Sequence, residues 1–194
     1  FDHQIKPTLS GSIPLINADD AWNVSVNGLK INGTGESVCV IDTGVDYTHP
    51  ALGGCNNNSF LNGSCAKVIS GWDYGNDDAD PFPGGSYSSV DHGTHVSGIV
   101  ASMDGTYKGV APGARIVALK VFSDAGVGST SGLLSAIDWC VANKTIFNIS
   151  VITMSLAVTD NSGNEIPYLT YCDINDTIAA KSSWAATQGI FVDA

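Results

Sequence analysis

Short apolar runs without polar alternation, separated by segments of helical period, constrain this chain more than any other feature. "ESVCVID", "AKVISGWDYG", "ARIVALKVF", "NISVITMSLA" and "GIFVDA" read as strands, several of them apolar on both faces. A strand with one solvated face alternates polar and apolar residues, so these runs belong inside a mostly parallel sheet covered on both sides. Between them, "DHGTHVSGIVASM", "STSGLLSAIDWCVANK" and "CDINDTIAAKSSWAATQ" read as helices, with polar starts at Asp91, at Ser129 or Thr130, and at Asp173. The alternation predicts an α/β fold, a mostly parallel central sheet with helices on both faces. A chain of 194 residues is long enough for one sizeable core, and no second domain is expected. The Asn- and Gly-rich stretches 53–65 and 75–90 read as long surface loops.

Asp42 ends the first clear strand, inside "VIDTGVDYTHP". Asp-Thr-Gly serves two unrelated chemistries: half of a carboxylate dyad that activates water, or a carboxylate that orients a histidine. The dyad needs two such carboxylates about 3 Å apart sharing a proton, hence two motifs or a small all-β homodimer. This chain has one copy in α/β surroundings. An Asp at the end of an apolar parallel strand lies at the carboxyl edge of the sheet, where open α/β sheets place their sites. The histidine-orienting role is therefore favoured.

"DHGTHVSGIV" then supplies His92 and His95 at the start of a helix. Residues three apart share a helix face, so the pair reads as ordinary polar residues or as two metal ligands. A metal would need further ligands, and the other histidines are His3 and His49. Neither reading explains Gly93 and Gly98, each costing about 1 kcal/mol against Ala in a helix unless something packs closely there.

Together, "VIDTGVDYTHP", "HGTHVSG", "GVAPGARIVALKVF" and "ITMSLA", in this order, closely resemble the subtilisin-like serine proteases, or subtilases, from about Ile13 to the end. The loops, the Cys55 to Cys65 insertion and the sequons are most similar to the larger secreted, pyrolysin-type members. The resemblance implies that Asp42 orients His92, that His92 takes the proton of a serine hydroxyl, and that His95 packs behind it. It assigns Ser123, Asp124, Ala125, Gly126, Val127 and Gly128 to an extended segment that pairs with a peptide substrate on its acyl side. Ser155, Leu156 and Ala157 fall to the opposing strand that lines the pocket for the residue before the scissile bond. Recognition mostly by main chain implies broad specificity leaning to apolar or aromatic residues.

The family's oxyanion asparagine and its Gly-Thr-Ser-x-Ala nucleophile motif are absent, and no Gly-x-Ser-x-Gly elbow replaces them. The expectation is that residues 1–194 are the amino-terminal portion of one catalytic domain, inactive and unstable alone, and partnered by a missing carboxyl-terminal half. A propeptide would be a further partner, as in a zymogen. The alternative is a non-catalytic subtilase-like domain that binds peptides or inhibits proteases. Ala157 stands where relatives commonly have glycine, and Asp193 puts a carboxylate in a normally apolar strand. No cofactor is required. Ala51 replaces a common calcium ligand, and the loop completing that site is missing between Met103 and Gly109. Asp73, Asp77, Asp78 and Asp80 form an acidic run that clusters carboxylates as calcium prefers, but without a loop signature, so a solvated loop is favoured.

A net charge of −11 excludes a nucleic-acid backbone or an anionic membrane surface as partner over most of the surface. Charged residues are only 14%, against about 25% in an average soluble domain, which suits an uncharged, secreted surface. Seven Asn-x-Ser/Thr sequons exceed the roughly two or three expected by chance, and favour an exported glycoprotein. Candidate glycosylation sites are Asn23, Asn32, Asn57, Asn62, Asn143 and Asn175; Asn148, before a buried strand, is expected to be unmodified. Of five cysteines, Cys55 and Cys65 bracket a short polar loop and are expected to pair. Cys140 with Cys172 is a weaker second pair, and Cys39 reads as a small buried thiol.

Overall fold

The computed structural model of the chain describes residues 9–157, 159 and 176–193. Its elements, in chain order, are helices α1 (Leu9–Leu15) and α2 (Ala18–Ala21), then strands β1 (Ser25–Val26), β2 (Leu29–Lys30) and β3 (Ser37–Asp42). A single 3-10 turn (Pro50–Leu52), α3 (Asn57–Leu61), β4 (Val68–Asp73), α4 (His92–Ala101) and β5 (Arg115–Lys120) follow. The remainder is α5 (Thr130–Ala142), α6 (Lys144–Phe147), β6 (Ile149–Thr153), α7 (Thr177–Thr187) and β7 (Phe191–Asp193).

The five strands β3 to β7 form one sheet in the order β4-β5-β3-β6-β7, with every pairing parallel. All six residues of β3 are buried, which is why "SVCVID" shows no polar alternation. Its side chains divide by parity between two cores. Val38 and Val40 join Val68, Ile116 and Ala118 under Leu52, Phe60 and Ala101, on the face covered by α3 and α4. Cys39 and Ile41 join Val117, Leu119 and Ile152 under α5 and α7. Leu133, Ala136, Ile137 and Cys140 of α5 are buried at a spacing that forms one helical stripe. The expected α/β architecture is thus present, with helices on both faces.

Helix starts follow their polar residues with one exception. Ser129 Oγ accepts a hydrogen bond from Gly132 N at 3.1 Å and caps α5. The helix expected from Asp173 instead begins at Thr177, because Asp176 Oδ1 takes the amides of Ile178 and Ala179 at 2.7 and 3.2 Å. Asp173 itself lies outside the described residues.

The cysteine expectations are corrected in part. Cys55 pairs with Cys65 as anticipated. Cys39, however, is not a free thiol: it is bonded to Cys140, 101 residues away. The pairing of Cys140 with Cys172 therefore fails. The reason is geometric, since Cys39 points from β3 to the face on which α5 lays Cys140. In the chain-entropy picture, closing so long a loop contributes about 4–5 kcal/mol.

Candidate active site

Parallel strands bring their carboxyl ends to one edge, and the expected site residues emerge there. Asp42 ends β3, Ser123–Gly128 follows β5, and Ser155–Ala157 follows β6, the two strands that flank β3. Asp42 is 1% exposed. A buried carboxylate needs donors, and it has three hydrogen bonds. Thr43 N donates to Oδ1 at 2.7 Å, while His92 Nδ1 lies 2.9 Å from Oδ1 and 3.0 Å from Oδ2. An ionised carboxylate only accepts, so Nδ1 carries the proton and Nε2 of the neutral ring is left with its lone pair. The His92 side chain is 41% exposed, so the imidazole is reached from solvent while the carboxylate that holds it is not.

Thr43 locks the two elements together. Its Oγ1 donates to Val90 O at 2.9 Å and accepts from Gly93 N at 2.9 Å, tying the end of β3 to the start of α4. Gly93 permits that approach: a Cβ there would lie 2.9 Å from Asp42 Cβ. The close packing expected at Gly93 is present, but at Gly98 no heavy atom lies within 4 Å of an added Cβ. His95 is exposed rather than packed behind His92; the helix face that the two share by spacing turns toward solvent at His95.

The two segments expected to meet a substrate differ locally from expectation. Ser123–Gly126 is a tight turn, with Gly126 N donating to Ser123 O at 2.8 Å, closed by a bridge between Phe122 and Gly128. It is not extended throughout, and Asp124, Ala125 and Val127 are exposed on it. Ser155, Leu156 and Ala157 lie beyond the end of β6, with Ser155 and Ala157 exposed. Asp193 is also exposed at the sheet edge, so its carboxylate needs no buried partner.

The acidic run is largely committed to hydrogen bonds. Asp73 Oδ1 accepts from Gly75 N and Asn76 N, and its Oδ2 from Lys120 Nζ. Asp80 accepts from Tyr47 OH at 2.8 Å and from Asn57 Nδ2 at 2.6 Å. Burial, with the Asp80 charge adding to it, pushes the Tyr47 phenol up to about 12. Among the described residues no group of three His, Cys, Asp or Glu side chains is arranged to hold a metal.

Sequons separate by what their amides do. Asn23, Asn143 and Asn148 donate Nδ2 to backbone carbonyls of Asp19, Trp139 and Gly35. Asn32 and Asn62 instead accept on Oδ1 from the hydroxyls of Thr34 and Ser64, both at 2.6 Å. Asn175 lies outside the described residues. The sequence reading missed Lys120, Thr43 and Tyr87. A lysine closing the apolar run "ARIVALK" was the one available signal for the first.

Known proteins resemble this chain in sequence and fold. Residues 33–192 match the subtilase family, and the chain belongs to it. It is 33% identical over 190 residues to the minor extracellular protease Vpr of Bacillus subtilis (strain 168), covering 96% of this chain and 20% of that one. It is 31% identical to thermitase of Thermoactinomyces vulgaris, over 76% of this chain and 45% of that one. A cold adapted subtilisin-like serine proteinase superposes with a TM-score of 0.57 at 27% identity, covering 88% of this chain and 50% of that chain. The chain thus spans half or less of the length of these relatives. These relatives are named as a protease and as a serine proteinase.

Proposed function

We propose that the chain supplies the orienting carboxylate and the general base of a secreted serine endopeptidase. Asp42 is the carboxylate and His92 the base; the nucleophilic serine and the oxyanion asparagine come from sequence not contained in residues 1–194. The observation that carries this reading is the buried Asp42 carboxylate bonded to Nδ1 of His92 at 2.9 Å, at the carboxyl edge of the sheet. His92 Nε2 would take the serine proton as its oxygen attacks the scissile carbonyl, and return it to the leaving amine. Asp42 would hold the tautomer and stabilise the imidazolium formed between those steps.

Ser123–Gly128 and Ser155–Ala157, which follow the two strands flanking β3, would contact the peptide on either side of its acyl half. A propeptide would occupy the same groove before maturation. Two disulfides support an oxidising, extracellular setting, and a relative is named as an extracellular protease. Among the described residues no helix is long and apolar enough to cross a membrane.

The test is a fluorophosphonate probe applied to the folded, full-length protein. Labelling of a serine that is lost in His92→Ala is the expected result. A folded sample that hydrolyses no peptide and takes no label would instead support the non-catalytic, peptide-binding alternative.

A further inference from the structure

Lys120 closes β5 in register with Asp42 on one side and Asp73 on the other. Its side chain is fully buried, yet Nζ donates to Asp73 Oδ2 at 2.7 Å and to Asp124 Oδ1 at 3.0 Å. Burial alone would lower this ammonium, but the hydrogen bonds to Asp73 and Asp124 outweigh it and hold Lys120 above its ordinary range. The hydrogen bond from Lys120 likewise holds Asp124 low.

The two carboxylates are not equivalent. Asp73 is buried and also accepts from Gly75 N, Asn76 N and Asn76 Nδ2, so it is a fixed base of the network. Asp124 is more than half exposed and sits on the Ser123–Gly128 turn. Asn76 Nδ2 reaches it as well, at 2.9 Å. Further along the turn, the ring of Tyr87 covers Gly126, where a Cβ would lie 2.9 Å from Tyr87 Cγ. Tyr87 belongs to the loop that leads into His92: Val90 N donates to Tyr87 O, and His92 N to Ser89 O. The turn is therefore held at Asp124 from the sheet and at Gly126 from the histidine loop.

We infer that Lys120 is a positioning residue: through Asp124 it sets where the Ser123–Gly128 turn stands against the edge carrying Asp42 and His92, and so sets affinity for substrate residues on the acyl side of the scissile bond. The inference rests on the reading above that this turn meets substrate. A surface ion pair would contribute little, but a fully buried ammonium that loses one of two carboxylates leaves a donor unsatisfied. That asymmetry makes the tether stiff.

Lys120→Met would strand the buried Asp73 and endanger folding, so Asp124→Ala is the primary variant. Asp124→Asn, which retains an Oδ1 acceptor, is the conservative one. Two measurements on the full-length protein decide the matter. Amide hydrogen exchange at Gly126 and Val127 should accelerate about tenfold in Asp124→Ala and less in Asp124→Asn, with the β5 amides unchanged. KM should rise about tenfold more for a peptide with several residues on the acyl side than for one with a single residue there, with kcat falling less than KM rises. Unchanged exchange in Asp124→Ala overturns the tether whatever the kinetics. Faster exchange with equal KM changes for both substrates overturns the link to affinity. A wild-type protein that takes no fluorophosphonate label marks failure of the proposed function instead, and the exchange result still decides the tether.

Discussion

Gly93 and Asp42 are packed so closely that a single methyl group on Gly93 would lie 3.1 Å from the Asp42 carboxylate oxygen that binds His92. The contact joins the first turn of α4, which carries His92, to the last residue of β3, which is Asp42. Gly93→Ala is expected to push the helix away, lower stability by about 1–3 kcal/mol and lower kcat/KM at least about tenfold. Gly98→Ala, in the same helix with open space around it, is expected to raise stability by up to about 1 kcal/mol. Thermal unfolding and kinetics of the two variants side by side check this; equal effects would refute it.

Asp42→Asn preserves shape but lets the amide donate to Nδ1, which favours the wrong tautomer of His92. The expected loss in kcat is about four orders of magnitude with KM little changed, the scale known for orienting carboxylates of such triads, subtilisin included. A loss of tenfold or less would show that Asp42 does not orient the base.

Removing the Cys39–Cys140 disulfide should cost about 2–5 kcal/mol, since it links the central strand to a helix 101 residues on. Cys140→Ser should unfold at markedly lower denaturant than wild type. A non-reducing peptide map should find Cys140 joined to Cys39; linkage to Cys172 would contradict the structure.

Lys67 donates to the carbonyls of Pro112 and Ala114 at 2.8 and 2.6 Å while nearly fully buried. Burial pushes its ammonium down to about 8. Between pH 8 and the ordinary lysine range the unfolded chain binds more protons than the folded one, so this group makes stability rise with pH in that window. Below pH 8 both states are protonated and the contribution is flat. Unfolding free energies from pH 7.5 to 10 should therefore climb more steeply in wild type than in Lys67→Met. Parallel curves would place the titration elsewhere.

Asn57 uses Nδ2 in hydrogen bonds to both Tyr47 OH and Asp80 Oδ2. A glycan replaces one of those N–H groups, whereas exposed Asn62 engages through Oδ1. Expressed through a eukaryotic secretory pathway, the protein should carry glycan at Asn62 and little at Asn57. Glycopeptide mass spectrometry showing equal occupancy would remove the structural basis for the difference.

Much of the scaffold was legible before any coordinates. "ESVCVID" and "ARIVALKVF" foretold β3 and β5 almost to the residue, because a strand buried on both faces admits few polar side chains. Asp42 and His92 were legible as partners only through motif resemblance, since fifty residues separate them and no local pattern pairs them. Other features were out of reach. His95 shares a face with His92 by spacing, yet spacing does not say how far that face turns from the sheet. Asp173 and Asp176 are equally good helix caps on paper, and only the observed amide bonds choose Asp176.

Residue periodicity by itself determined element type, the two-sided burial of the sheet and the edge on which a site would form, because these follow from which side chains water excludes. The tertiary structure decided the pairings: Cys39 with Cys140, Lys120 with both Asp73 and Asp124, and Gly93 against Asp42. Each depends on how strands, turns and helices pack against one another, a problem whose solution is spread over the whole chain.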